Sequence, residues 1–198
     1  GPIGVRLFPW PRLRAQDVRI ANPPGSPDTW FATADQIVVR MNLGALFNAE
    51  IQVESINIDN PTIKLRRSLD GSANWNFVPA ENIRNSRLLD QVKLDQITLS
   101  GGTVQVVDDR RSAPAELKKI NATFSALNLA GPWRSSGSFE YDGTPLAFAA
   151  NTGTWAHDVP LSFGLRVSSQ ENSGYSYFLD GKSNAGRFDG TLRLDPTD

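Results

Sequence analysis

Apolar residues recur at every second position in short runs along this chain: Val18-x-Ile20, Ile51-x-Val53, Ile56-x-Ile58, Ile63-x-Leu65, Val92-x-Leu94, Ile97-x-Leu99 and Val104-x-Val106, with polar residues between them. Successive side chains of a strand point to opposite faces, so a period of two reads as half-buried strand. Turn-forming clusters punctuate the runs: Asn22-Pro23-Pro24-Gly25, Asp70-Gly71, Gly101-Gly102, Asp142-Gly143-Thr144-Pro145, Asn172-Ser173-Gly174 and Asp180-Gly181. Many strands joined by tight turns predict an all-β chain folded as an antiparallel meander. Helical spacing shows only over residues 79–91, where Ile83, Arg87, Leu88 and Gln91 share a face, and in a shorter turn over residues 43–47. One or two short helices are expected there.

One pattern repeats: apolar-x-apolar-x-x-apolar-x-apolar-x, then Asn or Gly, then Pro or Gly. It reads Leu13, Ala15, Val18, Ile20, Asn22, Pro23; then Ile51, Val53, Ile56, Ile58, Asn60, Pro61; then Val92, Leu94, Ile97, Leu99, Gly101, Gly102; then Ala122, Phe124, Leu127, Leu129, Gly131, Pro132. The second and third copies continue alike through Thr62-Ile63-x-Leu65 and Thr103-Val104-x-Val106. Repeats of this kind stack, each unit extending one apolar surface. The two-residue step inside each copy would throw the later side chains onto the other face of a regular strand. A β-bulge at Gln16-Asp17, Glu54-Ser55, Asp95-Gln96 and Ser125-Ala126 would return them to the first face and bend the strand.

Two shapes satisfy this pattern. Repeated bends at one level curl the meander into a trough with an apolar inner wall. Alternatively the sheet closes on itself or packs on a second sheet, and its apolar face is ordinary sandwich core. The pattern taken alone leans to the second, because an uncovered apolar trough is uncommon.

Composition narrows the chemistry. The 198 residues suit one domain, taken as 1–198, and 39% hydrophobic with 21% charged residues is ordinary for a folded chain. A net charge of −1 leaves no polyanion footprint, so no nucleic-acid partner is expected, and Arg66-Arg67 and Arg110-Arg111 read as solvated strand ends. No run approaches the roughly 18 apolar residues of a spanning helix. The chain opens Gly1-Pro2 without methionine, as a cleaved tag leaves it. The expectation is therefore a fragment of a longer protein, with any membrane anchor in a removed upstream segment. Cysteine is absent, which excludes disulfides and thiolate metal sites. His157 is the single histidine and sits in an expected turn beside Asp158. Without a nucleophile signature it supports no triad. Asp108-Asp109 lacks calcium-loop spacing and reads as a turn. No enzyme activity, cofactor or metal is expected. Of the five tryptophans, Trp75 is expected in the core behind the Asp70-Gly71 turn, while Trp133 and Trp155 could stack on sugar.

Further motifs stand in a telling order: Leu7-Phe8-Pro9-Trp10-Pro11, Val18-x-Ile20-x-Asn22-Pro23, Phe31-Ala32-Thr33-Ala34, residues 43–47, and the run Ile56 to Leu65 containing Pro61. Then come Asp70-Gly71-Ser72-Ala73-Asn74-Trp75-Asn76-Phe77, Gly101-Gly102-Thr103-Val104 and Leu129-x-Gly131-Pro132. In this order and spacing, over residues 5–135, the chain resembles the AsmA family, whose amino-terminal strands are punctuated by Asn-Pro and by an Asp-Gly turn leading to Asn-Trp. The resemblance implies a curled, mostly antiparallel β-groove of taco-like section whose hydrophobic interior faces phospholipid acyl chains. It implies a periplasmic protein anchored in the inner membrane of a Gram-negative bacterium, acting in phospholipid transport or outer-envelope homeostasis. Its groove would be lined by Val18, Ile20, Ile51, Val53, Ile56, Ile58, Ile63, Leu65, Val92, Leu94, Ile97, Leu99, Val104, Val106, Phe124, Leu127 and Leu129. At 198 residues the chain is short for a bridge across a periplasm. Two other functions stay open: an assembly scaffold that recruits an envelope partner or another copy of itself through exposed sheet edges, and a carbohydrate-binding sandwich.

Overall fold

The structure, a computed structural model, describes residues 1–6, 12–42, 44, 52–75, 93–111, 113–156, 159–170, 174–184 and 187–197. Twelve strands make up these residues: β1 (Ile3–Arg6), β2 (Arg12–Ala21), β3 (Trp30–Met41), β4 (Gln52–Asp59), β5 (Thr62–Arg67), β6 (Lys93–Asp108), β7 (Ala115–Ala126), β8 (Trp133–Tyr141), β9 (Thr144–Thr152), β10 (Leu161–Ser169), β11 (Gly174–Asn184) and β12 (Arg187–Thr197). All belong to one curled sheet in the order β1-β2-β3-β4-β6-β7-β8-β9-β10-β11-β12, with β5 off this path and pairing β3 and β6. The all-β expectation holds. Both segments expected to be helical, 79–91 and 43–47, lie outside the described residues apart from Gly44.

The meander is not wholly antiparallel. β4 and β5 form one interrupted strand that runs parallel to β6, with Val53 opposite Leu94, Ile56 opposite Ile97, Ile58 opposite Leu99, Ile63 opposite Val104 and Leu65 opposite Val106. The second and third sequence repeats thus lie side by side in register. A parallel pair needs a crossover of a dozen or more residues, and the chain from 68 to 92 is long enough to supply it.

Gly101-Gly102, expected as a turn, instead lies inside β6, where it marks a crease running across the sheet. Four residues at this level adopt left-handed backbone, Asp17 in β2 (φ 48°), Asn60 between β4 and β5 (φ 49°), Gly101 in β6 (φ 67°) and Lys119 in β7 (φ 50°), while β3 crosses it without one. A non-glycine residue in this region costs about 1–2 kcal/mol, and at Asn60 and Lys119 a side-chain contact opposes part of it. The Asn60 amide donates to Asp35 Oδ2 at 2.9 Å, and Lys119 Nζ pairs with Glu140 at 2.6 Å. The crease shifts the pairing of β6 with β7 and of β7 with β8. It also returns apolar side chains to the face they left. A Cβ built on Gly102 would lie 2.6 Å from Leu99 Cδ2, 3.3 Å from Pro61 Cγ and 3.4 Å from Ile120 Cβ, so these groups share one face on both sides of the kink.

Of the four bulges expected from the repeat, the one at Glu54-Ser55 is present against β3: Arg40 pairs with Ser55, yet Met41 pairs with Val53. Leu94 and Gln96 keep step with Val53 and Ser55 around Asp95. Asp17 is kinked without shifting register against β3. At Ser125-Ala126 the pairing with Arg134 and Trp133 is regular, and the irregularity in β7 falls at Lys119 instead.

Asp180-Gly181, also expected as a turn, is interior to β11 and pairs with Thr191 and Gly190. Gly181 and Gly190 face each other because the Phe188 ring lies over both, leaving no room for a Cβ at either. Asp142-Gly143 does form the tight hairpin expected of it, both residues having positive φ between the paired Tyr141 and Thr144.

Candidate functional site

Cross-strand partners point to the same face, so the register assigns every strand residue to a side. One row crosses the sheet from β2 to β12 as Leu13, Val39, Ile56, Ile97, Phe124, Ser135, Ala150, Leu165, Leu179 and Leu192. The next row runs Ile3, Ala15, Ile37, Ile58, Leu99, Ala122, Gly137, Phe148, Val167, Tyr177 and Leu194, one residue from each strand of the main path. Beyond the crease the wall continues through Ile20, Ala32, Ile63, Val104 and Leu117. At about 4.8 Å per strand this is an apolar wall about 50 Å wide.

The wall has no second layer among the described residues. Strands make their substantial contacts with sheet neighbours alone, and few side chains are fully buried, Leu94 being the largest at 1% exposure. A sandwich would bury both rows; here most of their members are half-buried, and Leu192 and Leu194 are 69% and 51% exposed.

The opposite face is polar. Thr123, Ser125, Arg134, Ser136, Asn151, Arg166 and Asp180 border a cleft of about 720 Å³ there. The Phe178 ring is sandwiched between two guanidinium groups, Arg166 at 5.1 Å and Arg193 at 4.6 Å. Nearer the amino terminus the Asp70-Gly71 motif closes a clamp on this sheet. The buried Asn74 amide donates to Asn22 Oδ1 at 2.8 Å and to the Lys64 carbonyl at 2.7 Å, while its oxygen accepts from the Arg66 N–H at 2.9 Å. Arg66, read from sequence as a solvated strand end, pairs with Asp109 at 2.9 Å and Asp28 at 3.4 Å. Two Ser72 hydrogen bonds, one from its hydroxyl and one from its N–H, hold the Asp70 carboxyl below the usual carboxylate range.

Most groove candidates therefore fall on one wall: Val18, Ile20, Val53, Ile56, Ile58, Ile63, Leu65, Leu94, Ile97, Leu99, Val104, Val106 and Phe124. Leu127 and Leu129 do not belong to a strand; they lie in the connection between β7 and β8, Leu127 78% exposed and Leu129 accepting a bond from Trp133 Nε1. Ile51 and Val92 lie outside the described residues, as does His157. Trp75 is not core but 40% exposed, because the residue buried behind the turn is Asn74. Reading from the repeat missed the carboxyl-terminal part of the wall, Phe148, Leu165, Val167, Tyr177, Leu179, Leu192 and Leu194. Their period-two alternation was visible in the sequence, but no repeat motif marks them.

Residues 1–158 match the AsmA family. The chain is also similar to the AsmA family protein YhjG of Escherichia coli (strain K12), with 24% identity over 117 residues, covering 55% of this chain and 16% of that protein. The chain thus spans about a sixth of that relative's length. No solved structure matches.

Proposed function

The chain belongs to the AsmA family, and from that premise we propose that its apolar wall holds the acyl chains of phospholipids, as one segment of a lipid-carrying groove. The family is associated with the cell envelope and fits a role in envelope lipid transport. The finer reading is a periplasmic, non-enzymatic segment tethered to the inner membrane through another part of the protein. The observation that carries it is the apolar wall that crosses eleven strands, interrupted at β8 by Ser135 and Gly137, with no protein layer over it among the described residues.

The energetics suit such a ligand. Each buried methylene contributes about 0.8 kcal/mol, so ten or so methylenes against the wall offset much of the cost of lifting a lipid from its bilayer. Hydrophobic contact is non-directional, so this binding tolerates many headgroups.

Native mass spectrometry and lipid extraction of the chain purified from a bacterial host test the reading. Co-purifying phospholipid is expected, and the double variant Ile56→Asp with Leu165→Asp, which puts charges in the middle of the wall, should lose most of it while keeping the β-sheet circular dichroism signal. Lipid-free wild-type protein that also fails to take up phospholipid from vesicles would overturn the proposal.

A further inference from the structure

On the polar face, the side chains of Arg134, Asn151 and Asp180 make no hydrogen bond or ion pair among the described residues. The register brings them together. Arg134 pairs with Asn151, Asn151 with Gly164 and Gly164 with Asp180, so the four stand in one row across β8, β9, β10 and β11. The row beside it holds Ser136, Ala149, Arg166 and Phe178. Ala149 and Gly164, being small, floor the cleft of about 720 Å³, and the longer side chains wall it. Each of these four strands has a neighbour on both sides, so the cleft lies within the sheet and not at its margin.

Asn151 and Asp180 converge from the two sides of Gly164. A Cβ built there would lie 2.9 Å from Asp180 Oδ1 and 3.0 Å from Asn151 Nδ2, so the missing side chain is what lets both tips reach the floor. A carboxylate only accepts and an amide NH₂ only donates, and a hydroxyl set between them would donate to the first while accepting from the second. Arg166 is held in place by the Phe178 ring at 5.1 Å, and its Nη2 donates to Ser176 Oγ at 3.5 Å. The charged residues lining the cleft are Arg134, Arg166 and Asp180, two guanidinium groups against one carboxylate.

We infer that this cleft binds a short anionic saccharide, its acid group drawn to Arg134 and a hydroxyl seated between Asn151 and Asp180. A bare anion would answer the guanidinium groups and be repelled by Asp180, whereas a neutral sugar would answer Asn151 and Asp180 and leave Arg134 without a counter-charge. A sugar chain that carries acid groups answers both. Three strand spacings of about 4.8 Å separate Arg134 from Asp180, a span longer than one sugar ring. A lipid headgroup is not the source, because a lipid whose chains lie on the apolar wall is on the other side of the sheet. The site therefore does not depend on what the wall holds.

Amide NMR shifts of the isotope-labelled chain, recorded with trigalacturonate and with an alternating glucuronate and N-acetylglucosamine tetrasaccharide, test this. At least one of the two should give saturable shifts clustered at residues 149–151, 164–166 and 178–180. Arg134→Gln should weaken that binding roughly tenfold. Gly164→Ala should do the same by pushing both tips off the floor, and alanine is no worse than glycine in a strand. Asp180→Ala decides between a saccharide site and a merely basic patch, and it leaves no partner orphaned in the fold. Losing the carboxylate should weaken a saccharide but tighten any anion held by charge alone, for which triglutamate serves as the reference. The inference is overturned if neither oligosaccharide shifts these amides, if Asp180→Ala tightens the binding, or if triglutamate binds as well as the acidic saccharides do.

Discussion

Leu94 and Leu192 are leucines on the same apolar wall, one 1% exposed and the other 69%. They mark two regions of a sheet that carries no second layer among the described residues. Around β4, β5 and β6 the sheet is creased and is held by the Asn74 hydrogen bonds and the Arg66 ion pairs. Around β10, β11 and β12 there is plain hairpin pairing, with Gly181 and Gly190 tucked under the Phe188 ring and no side-chain clamp comparable to Asn74 among the described residues. The contrast teaches that apolar alternation is enough to make a strand, while side-chain clamps such as Asn74 are added to only part of the sheet.

The sharpest break in that contrast is Leu94→Ala against Leu192→Ala. Truncating the buried leucine should cost about 2–5 kcal/mol in urea unfolding, and truncating the exposed one no more than about 0.5 kcal/mol. Equal losses would mean that both regions are packed alike. Next in size is Asn74→Ala, which removes two donated bonds and orphans the Arg66 N–H. A loss of about 1–3 kcal/mol is expected, with faster amide exchange in β5 and unchanged exchange in β11. If β11 loosens equally, the clamp does not act locally.

The smallest effect concerns Asp70, whose folded carboxyl is held below its ordinary pKa by Ser72. A lowered pKa contributes stability that is fully present above the unfolded value and is lost as pH falls through the folded one. Asp70→Asn should therefore narrow the stability difference between neutral and acid pH, slightly and in that direction only. A wider difference would contradict the assigned cause.

Much of the clamped region was legible in the sequence, and the reason is physical. The second and third repeats match position for position in their apolar pattern, and neighbours that share a register and a bend have to match in this way. The same match carried a message that the meander expectation overlooked: antiparallel neighbours have no need to align head to head, whereas Ile56 and Ile97 do so because β4 and β6 run parallel. Asn74 was legible as a motif residue but not as the buried one, since tryptophan is the apolar choice for a core and only the three hydrogen bonds explain the preference for an amide. Asp180-Gly181 misled because a dipeptide that favours a hairpin is also what lets an aromatic ring lie flat on a strand.

A globular protein stops growing when its interior can no longer be filled, but a sheet one layer thick has no interior. Adding a strand pair to such a sheet changes the environment of its immediate neighbour and of nothing further away, so the cost of each addition stays constant. In-register repeats of the kind seen in β4, β5 and β6 are then a unit of extension: copying one genetically lengthens the wall without redesigning what is already built.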